Sequence, residues 1–99
     1  MVKRKIIWSL RAKEDLFEIL DFYYKRNGTK TFSIKLHSDF RKNIKILEKH
    51  PEIGIKTDIE NVRNLIDGNF SVFYEILDIS IDILSILDNR QDLENVHLK

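Results

Sequence analysis

The strongest constraint on this chain is a change of hydrophobic period at residues 51–54. Upstream, two runs of apolar residues recur at helical spacing: Ala12, Leu16, Ile19, Leu20 and Tyr23, then Phe32, Leu36, Phe40, Ile44 and Leu47. Downstream the period falls to two, with Phe70, Val72, Tyr74 and Ile76 alternating with Ser71, Phe73, Glu75 and Leu77. A 3.6-residue repeat makes one apolar stripe on a helix, and a two-residue repeat makes one apolar face on a strand. Each needs a surface to bury against, so helices followed by strands predict a helical layer on a sheet.

The punctuation fixes the order. Lys3 to Trp8 predicts a short strand, and Ser9 is placed to accept a bond from a free N–H at the start of the next helix. That helix runs from Leu10 to about Arg26 and stops at Asn27-Gly28, where glycine suits a left-handed cap. So short a connection folds the chain back, which sets the second helix, Thr31 to Lys49, against the first. His50-Pro51 ends it, since the residue before proline is pushed out of helical angles. Val62 to Ile66, Phe70 to Leu77 and Ile81 to Leu87 then predict three consecutive strands. Turns at Asp67-Gly68 and at Asp78 to Ser80 make them antiparallel. The expected fold class is α+β, in the order β-α-α-β-β-β, with a helical hairpin packed on a mostly antiparallel twisted sheet. Residues 1–99 are expected to form one domain, with 88–99 a polar tail that is loose, briefly helical or ordered by a partner.

At 99 residues the chain has room for one core, and 42% hydrophobic with 33% charged residues describes an ordinary globule. No apolar run approaches the ~18 residues of a spanning helix, so no membrane association is expected. Ile6-Ile7-Trp8 is too short for a secretory segment of about 7–15 residues. The absence of cysteine excludes disulfides and thiolate metal sites and suits a cytoplasmic location. A net charge of +1 removes bulk attraction to nucleic acid and leaves only local patches. His37, His50 and His97 show no metal-ligand spacing, and no phosphate loop, dinucleotide fingerprint or serine-nucleophile elbow is present. Neither a metal nor a cofactor is expected.

Five segments together carry a resemblance. Trp8-Ser9-Leu10-Arg11-Ala12-Lys13-Glu14-Asp15-Leu16 is similar to a "W-S-x-x-A-x-x-D-L" opening, continued by Ile19 and Tyr23. Leu47-Glu48-Lys49-His50-Pro51-Glu52-Ile53-Gly54 is similar to an "L-x-x-x-P-x-x-G" element closing a second helix. Arg63-Asn64-Leu65, Tyr74-Glu75-Ile76 and Arg90-Gln91-Asp92 match "R-x-L", "Y-x-I" and "R-Q-D" elements. In this order and spacing the chain resembles the RelE/ParE toxins of type II toxin–antitoxin modules, which include plasmid stabilisation proteins, and it lies closer to the ParE branch. The resemblance implies a toxin neutralised by a cognate antitoxin.

The two branches differ in chemistry. The RelE branch cuts mRNA on the ribosome without a metal, using arginine, lysine and aromatic hydroxyls for proton transfer and charge stabilisation. The resemblance would give Arg90, Arg63 and Tyr74 as its catalytic candidates here. That branch places an arginine three residues before the position of Tyr74, where this chain has Ser71. Its further tyrosine falls near Val96, which has no proton to give. The ParE branch instead inhibits DNA gyrase by protein–protein contact. The sequence therefore favours a ParE-like gyrase inhibitor acting by binding, without enzymatic chemistry of its own. The alternatives are a RelE-like ribosome-dependent endoribonuclease acting on mRNA, or a degenerate toxin that only binds its antitoxin.

Several residues have two open readings. Phe17 and Tyr24 share a face about 100° from the first helix's core stripe, at ~100° per residue, and Phe22 projects on the other side. Either part of this arc receives an antitoxin's amphipathic segment, or sheet and second helix cover it. Arg63 and Arg90 converge on a partner or anion at one end of the sheet, or pair with Glu75, Asp82 or Asp88. Tyr74, between Val72 and Ile76, is better read as a core tyrosine. Lys35, Lys42, Lys45 and Lys49 form a stripe opposite the second helix's apolar face. That stripe is either a solvated surface or a dock for an acidic partner or phosphate backbone.

Overall fold

The computed structural model describes residues 3–90. Strand β1 (Lys5–Trp8) leads into α1 (Leu10–Asn27) and α2 (Thr31–Lys45), followed by β2 (Ile55–Lys56), β3 (Val62–Asp67), β4 (Phe70–Ile76) and β5 (Ser80–Asp88). The five strands form one sheet in the order β1-β5-β4-β3-β2. Only the β1–β5 pairing is parallel; the other three pairings are antiparallel. The expected helix pair, three-strand meander and α+β class are all present.

Three boundaries differ from expectation. The second helix ends at Lys45 and tightens into a 3-10 turn over Ile46–Glu48, so Lys49 lies outside it. A fifth strand, β2, pairs Ile55 and Lys56 with Asn64 and Arg63. Two residues are too few to display any period, so nothing in the sequence marks it. Asp88, expected to open the tail, is the buried last residue of β5. The remainder of that expected tail from Gln91 lies outside the described residues.

Both helices cover one face of the sheet. Ala12, Ile19 and Tyr23 from α1, Phe40 and Ile44 from α2, and Leu47 beyond it meet Phe70, Val72, Tyr74, Ile81, Ile83 and Ile86 in one core. Aromatic rings form its far end, with Phe40 edge-on to Phe70 at 5.0 Å and Tyr23 at 5.2 Å from Phe32. The turn between the helices closes at Gly28, whose φ of 70° would strain any residue with a Cβ. Its N–H donates to Tyr24 O at 2.9 Å.

The opening "W-S-x-x-A-x-x-D" pattern has a structural cause. Opposite β4, the register of β5 slips: Phe73 faces Ser85 but Tyr74 faces Ile83, leaving Leu84 as an extra residue. Such a bulge leaves backbone groups outside the ladder, and β1 ends level with Ile83. Ser9 and Asp15 take up the orphans. The Ser9 hydroxyl donates to Leu84 O at 3.0 Å while accepting the Ala12 N–H that caps α1. Asp15 Oδ2 accepts the Ile86 N–H at 3.0 Å. Ala12, fully buried between them, lets the helix sit this close.

Candidate functional site

Two of the three catalytic candidates, Arg63 and Tyr74, form a brace. Arg63 and Tyr74 are register partners on β3 and β4, so both side chains leave the same face. That face meets the Pro51–Gly54 loop. The Tyr74 hydroxyl donates to Pro51 O at 2.6 Å and accepts the Gly54 N–H at 2.9 Å. Arg63 Nη1 donates to Glu52 O at 3.1 Å and Gly54 O at 2.8 Å. A Cβ on Gly54 would stand 2.8 Å from Tyr74 Cε1 and 2.9 Å from Cζ, which explains glycine there. Burial pushes the Tyr74 phenol above its ordinary 10.0, and the Gly54 N–H and the nearby Arg63 charge partly oppose this. A hydroxyl so engaged is a structural donor, as expected of a core tyrosine.

Arg90 belongs to a different network. Its Nη2 donates to the Tyr23 hydroxyl at 2.8 Å, and its guanidinium carbon lies 5.7 Å from the Tyr23 ring centre. Tyr23 in turn donates to Asp88 Oδ2 at 2.7 Å, and the Arg90 N–H donates to Asp88 Oδ1. Burial and the Asp88 carboxylate raise the Tyr23 pKa, against a smaller pull from Arg90. Arg63 lies level with Tyr74, whereas Arg90 follows Asp88, which is level with Phe70. Four residues of strand, about 13 Å at ~3.3 Å per residue, separate these levels. The two arginines do not converge.

Ser71, which the resemblance sets against the nuclease branch's arginine, is buried. It accepts from Asn89 Nδ2 at 3.1 Å and Asn64 Nδ2 at 3.5 Å on the face away from the helices. Among the described residues no group of three or more side chains has metal-binding arrangement. No helix among them is long and apolar enough to cross a membrane.

The partner-binding candidates divide. Phe22 packs partly buried against the core, edge-on to Tyr23 at 4.9 Å and beneath Arg26. Phe17 and Tyr24 do not pack inward: they remain 69% and 42% exposed. Together with Leu20 on α1 and Ile34 on α2 they line a shallow groove of about 290 Å³ between the helices, with Lys30 and Asp21 at its rim. Ser33 Oγ, donating to Leu20 O at 2.9 Å, ties the helices together across it. Ile34, 66% exposed, was not among the residues chosen from sequence. Its signal was available, because it is an isoleucine lying off the Phe32-Leu36-Phe40 stripe.

Comparison with known proteins agrees with this architecture. The family described as the ParE toxin of type II toxin–antitoxin system, parDE, matches residues 6–93. No curated protein matches the sequence. A solved structure described as the chromosomal ParDE toxin–antitoxin system from P. aeruginosa superposes with a TM-score of 0.75 at 25% identity, covering 85% of this chain and 94% of that one. With the match running from within β1 through both helices to beyond β5, the chain belongs to the ParE toxin family of type II toxin–antitoxin systems.

Proposed function

We propose that this protein is a toxin that acts by binding, with DNA gyrase as its target and a cognate antitoxin as its inhibitor. The observation that carries the reading is the internal commitment of the polar groups that RNA cleavage would require. Tyr74 and Arg63 hold the Pro51–Gly54 loop, Arg90 is held on Tyr23, and a buried serine stands where the resemblance sets the nuclease branch's arginine. A general base or acid must reach the proton it transfers. A phenol held between a carbonyl and an amide inside the core cannot do so without breaking the brace.

Antitoxin recognition follows from the inter-helix groove. Phe17, Tyr24 and Ile34 offer apolar anchors at helical spacing along two antiparallel helices, a surface suited to the apolar side of an amphipathic helix. The ParDE description of the similar structure supplies the class of partner. The whole reading is tested by adding purified chain to gyrase and relaxed plasmid. Supercoiling should fall in proportion to the chain and recover when the antitoxin encoded beside it is added. Undiminished supercoiling, together with mRNA cleavage in a translating extract, would sink the gyrase assignment.

A further inference from the structure

The lysine stripe of α2 continues onto the opposite end of the chain. One surface hollow is lined by Arg41, Lys42 and Lys45 beside Ile6, Trp8, Ile44 and Glu48. A second, sharing Glu48, is lined by Lys3, Arg4, Lys49 and His50 with Pro51, Glu52 and Ile53. Around this shared residue stand six of the sixteen described lysines and arginines but only two of the fourteen described acids. The rest of the described residues hold ten cations against twelve acids, so positive charge is concentrated on this face.

Glu48 is engaged with Lys3 at 3.5 Å. Arg41, Lys42, Lys45 and Lys49 are exposed, and among the described residues none lies within ion-pair distance of a carboxylate. Lys42 to Lys49 runs over the last turn of α2 and the 3-10 turn after it, about 12 Å at ~1.5 Å per α-helical and ~2.0 Å per 3-10 residue. That row is too long for one small anion and suits a line of them. Its lysines are point charges without the fork that selects single carboxylates.

We infer that this face, built from α2, the turn after it and the residues preceding β1, binds the phosphate backbone of a nucleic acid without reading its sequence. The inference does not rest on gyrase as target. Four exposed cations neutralising four phosphates give a salt slope of about −3.6 on duplex DNA and about −2.8 on a single strand, and hence about 150-fold and about 50-fold weaker binding at 200 mM than at 50 mM salt.

The test is fluorescence anisotropy of the full chain with a labelled 30-base-pair DNA duplex and, separately, a single-stranded RNA of equal length. Binding should be measurable at 50 mM salt and fall along the slope for the probe that binds. Whichever probe binds more tightly identifies the source of the phosphates. Lys42→Glu/Lys45→Glu should weaken binding at least tenfold, with unchanged circular dichroism and melting temperature. Lys13→Glu, on the exposed side of α1, should weaken it less than threefold. The inference is overturned by no binding at 50 mM, by equal losses in the two variants, or by a flat salt dependence. It is also overturned if polyglutamate displaces the chain at the same charge concentration as unlabelled duplex, which would make the ligand an acidic polypeptide.

Discussion

Tyr74→Phe separates a brace from a catalytic group, because the two roles predict opposite outcomes. The substitution keeps the ring and removes only the hydroxyl that donates to Pro51 O and accepts from the Gly54 N–H. Those two backbone groups are then left without their partner inside the fold. Each unsatisfied buried group costs ~1–3 kcal/mol, so we expect a loss of about 2.5 kcal/mol. For a domain of this length the melting temperature should fall by roughly 10–20 °C, at ~4–8 °C per kcal/mol. Gly54→Ala should cost a further ~1–3 kcal/mol from overpacking against the same ring. Combining the two should cost less than their sum, since each single change already breaks the bond between them. Urea denaturation monitored by Trp8 fluorescence, with thermal melts, measures all three. A Tyr74→Phe variant within 0.5 kcal/mol of the parent, yet inactive as a toxin, would refute the brace and return Tyr74 to the functional residues.

Asp15→Ala should cost about 2 kcal/mol in urea denaturation, because it deletes a charged acceptor for the Ile86 N–H. Arg11→Ala, which removes only the exposed ion pair to the same carboxylate, should stay within about 0.5 kcal/mol. Both Tyr23 and Tyr74 have phenol pKa values raised above 10.0 by burial. The folded chain thus holds protons that the unfolded chain releases; stability is full below pH ~10 and declines as pH rises above it. Tyr23→Phe should shallow that decline in denaturation curves collected between pH 8 and 11.5, and an unchanged slope would contradict the assignment. Phe17→Glu and Ile34→Glu should leave the melting temperature within about 3 °C while weakening antitoxin binding at least 100-fold by calorimetry. Unaltered affinity would move the antitoxin elsewhere.

The layer order was legible because period and punctuation agree: Asn27-Gly28 closes α1 where its stripe ends, and His50-Pro51 follows the 3-10 turn that carries Leu47, the last residue of the second stripe. What escaped was set by register. The sequence Ile81-Asp82-Ile83-Leu84-Ser85-Ile86 cannot alternate strictly and also bury Ile81, Ile83 and Ile86. The bulge at Leu84 resolves this, and no local pattern announces it. Arg63 and Tyr74 are eleven residues apart, and only strand pairing shows that they brace one loop. The groove was half visible: Phe17 and Tyr24 lie off the core stripe of α1 and Ile34 off that of α2, but only the packed hairpin brings the three together.

The parallel pairing of β1 with β5 sets a condition on how the protein comes into being. The first strand has no other neighbour in the sheet, and α1 is secured to β5 by Ser9–Leu84, Asp15–Ile86 and Tyr23–Asp88 bonds spanning 75, 71 and 65 residues. Contacts between such distant parts of a chain form only after a long loop has closed, which slows folding. During synthesis β1 waits until β5 has been made before its partner exists. A nascent chain stopped before residue 80 therefore carries the whole helical hairpin but no closed sheet beneath it, so the fold is completed only once β5 has been made.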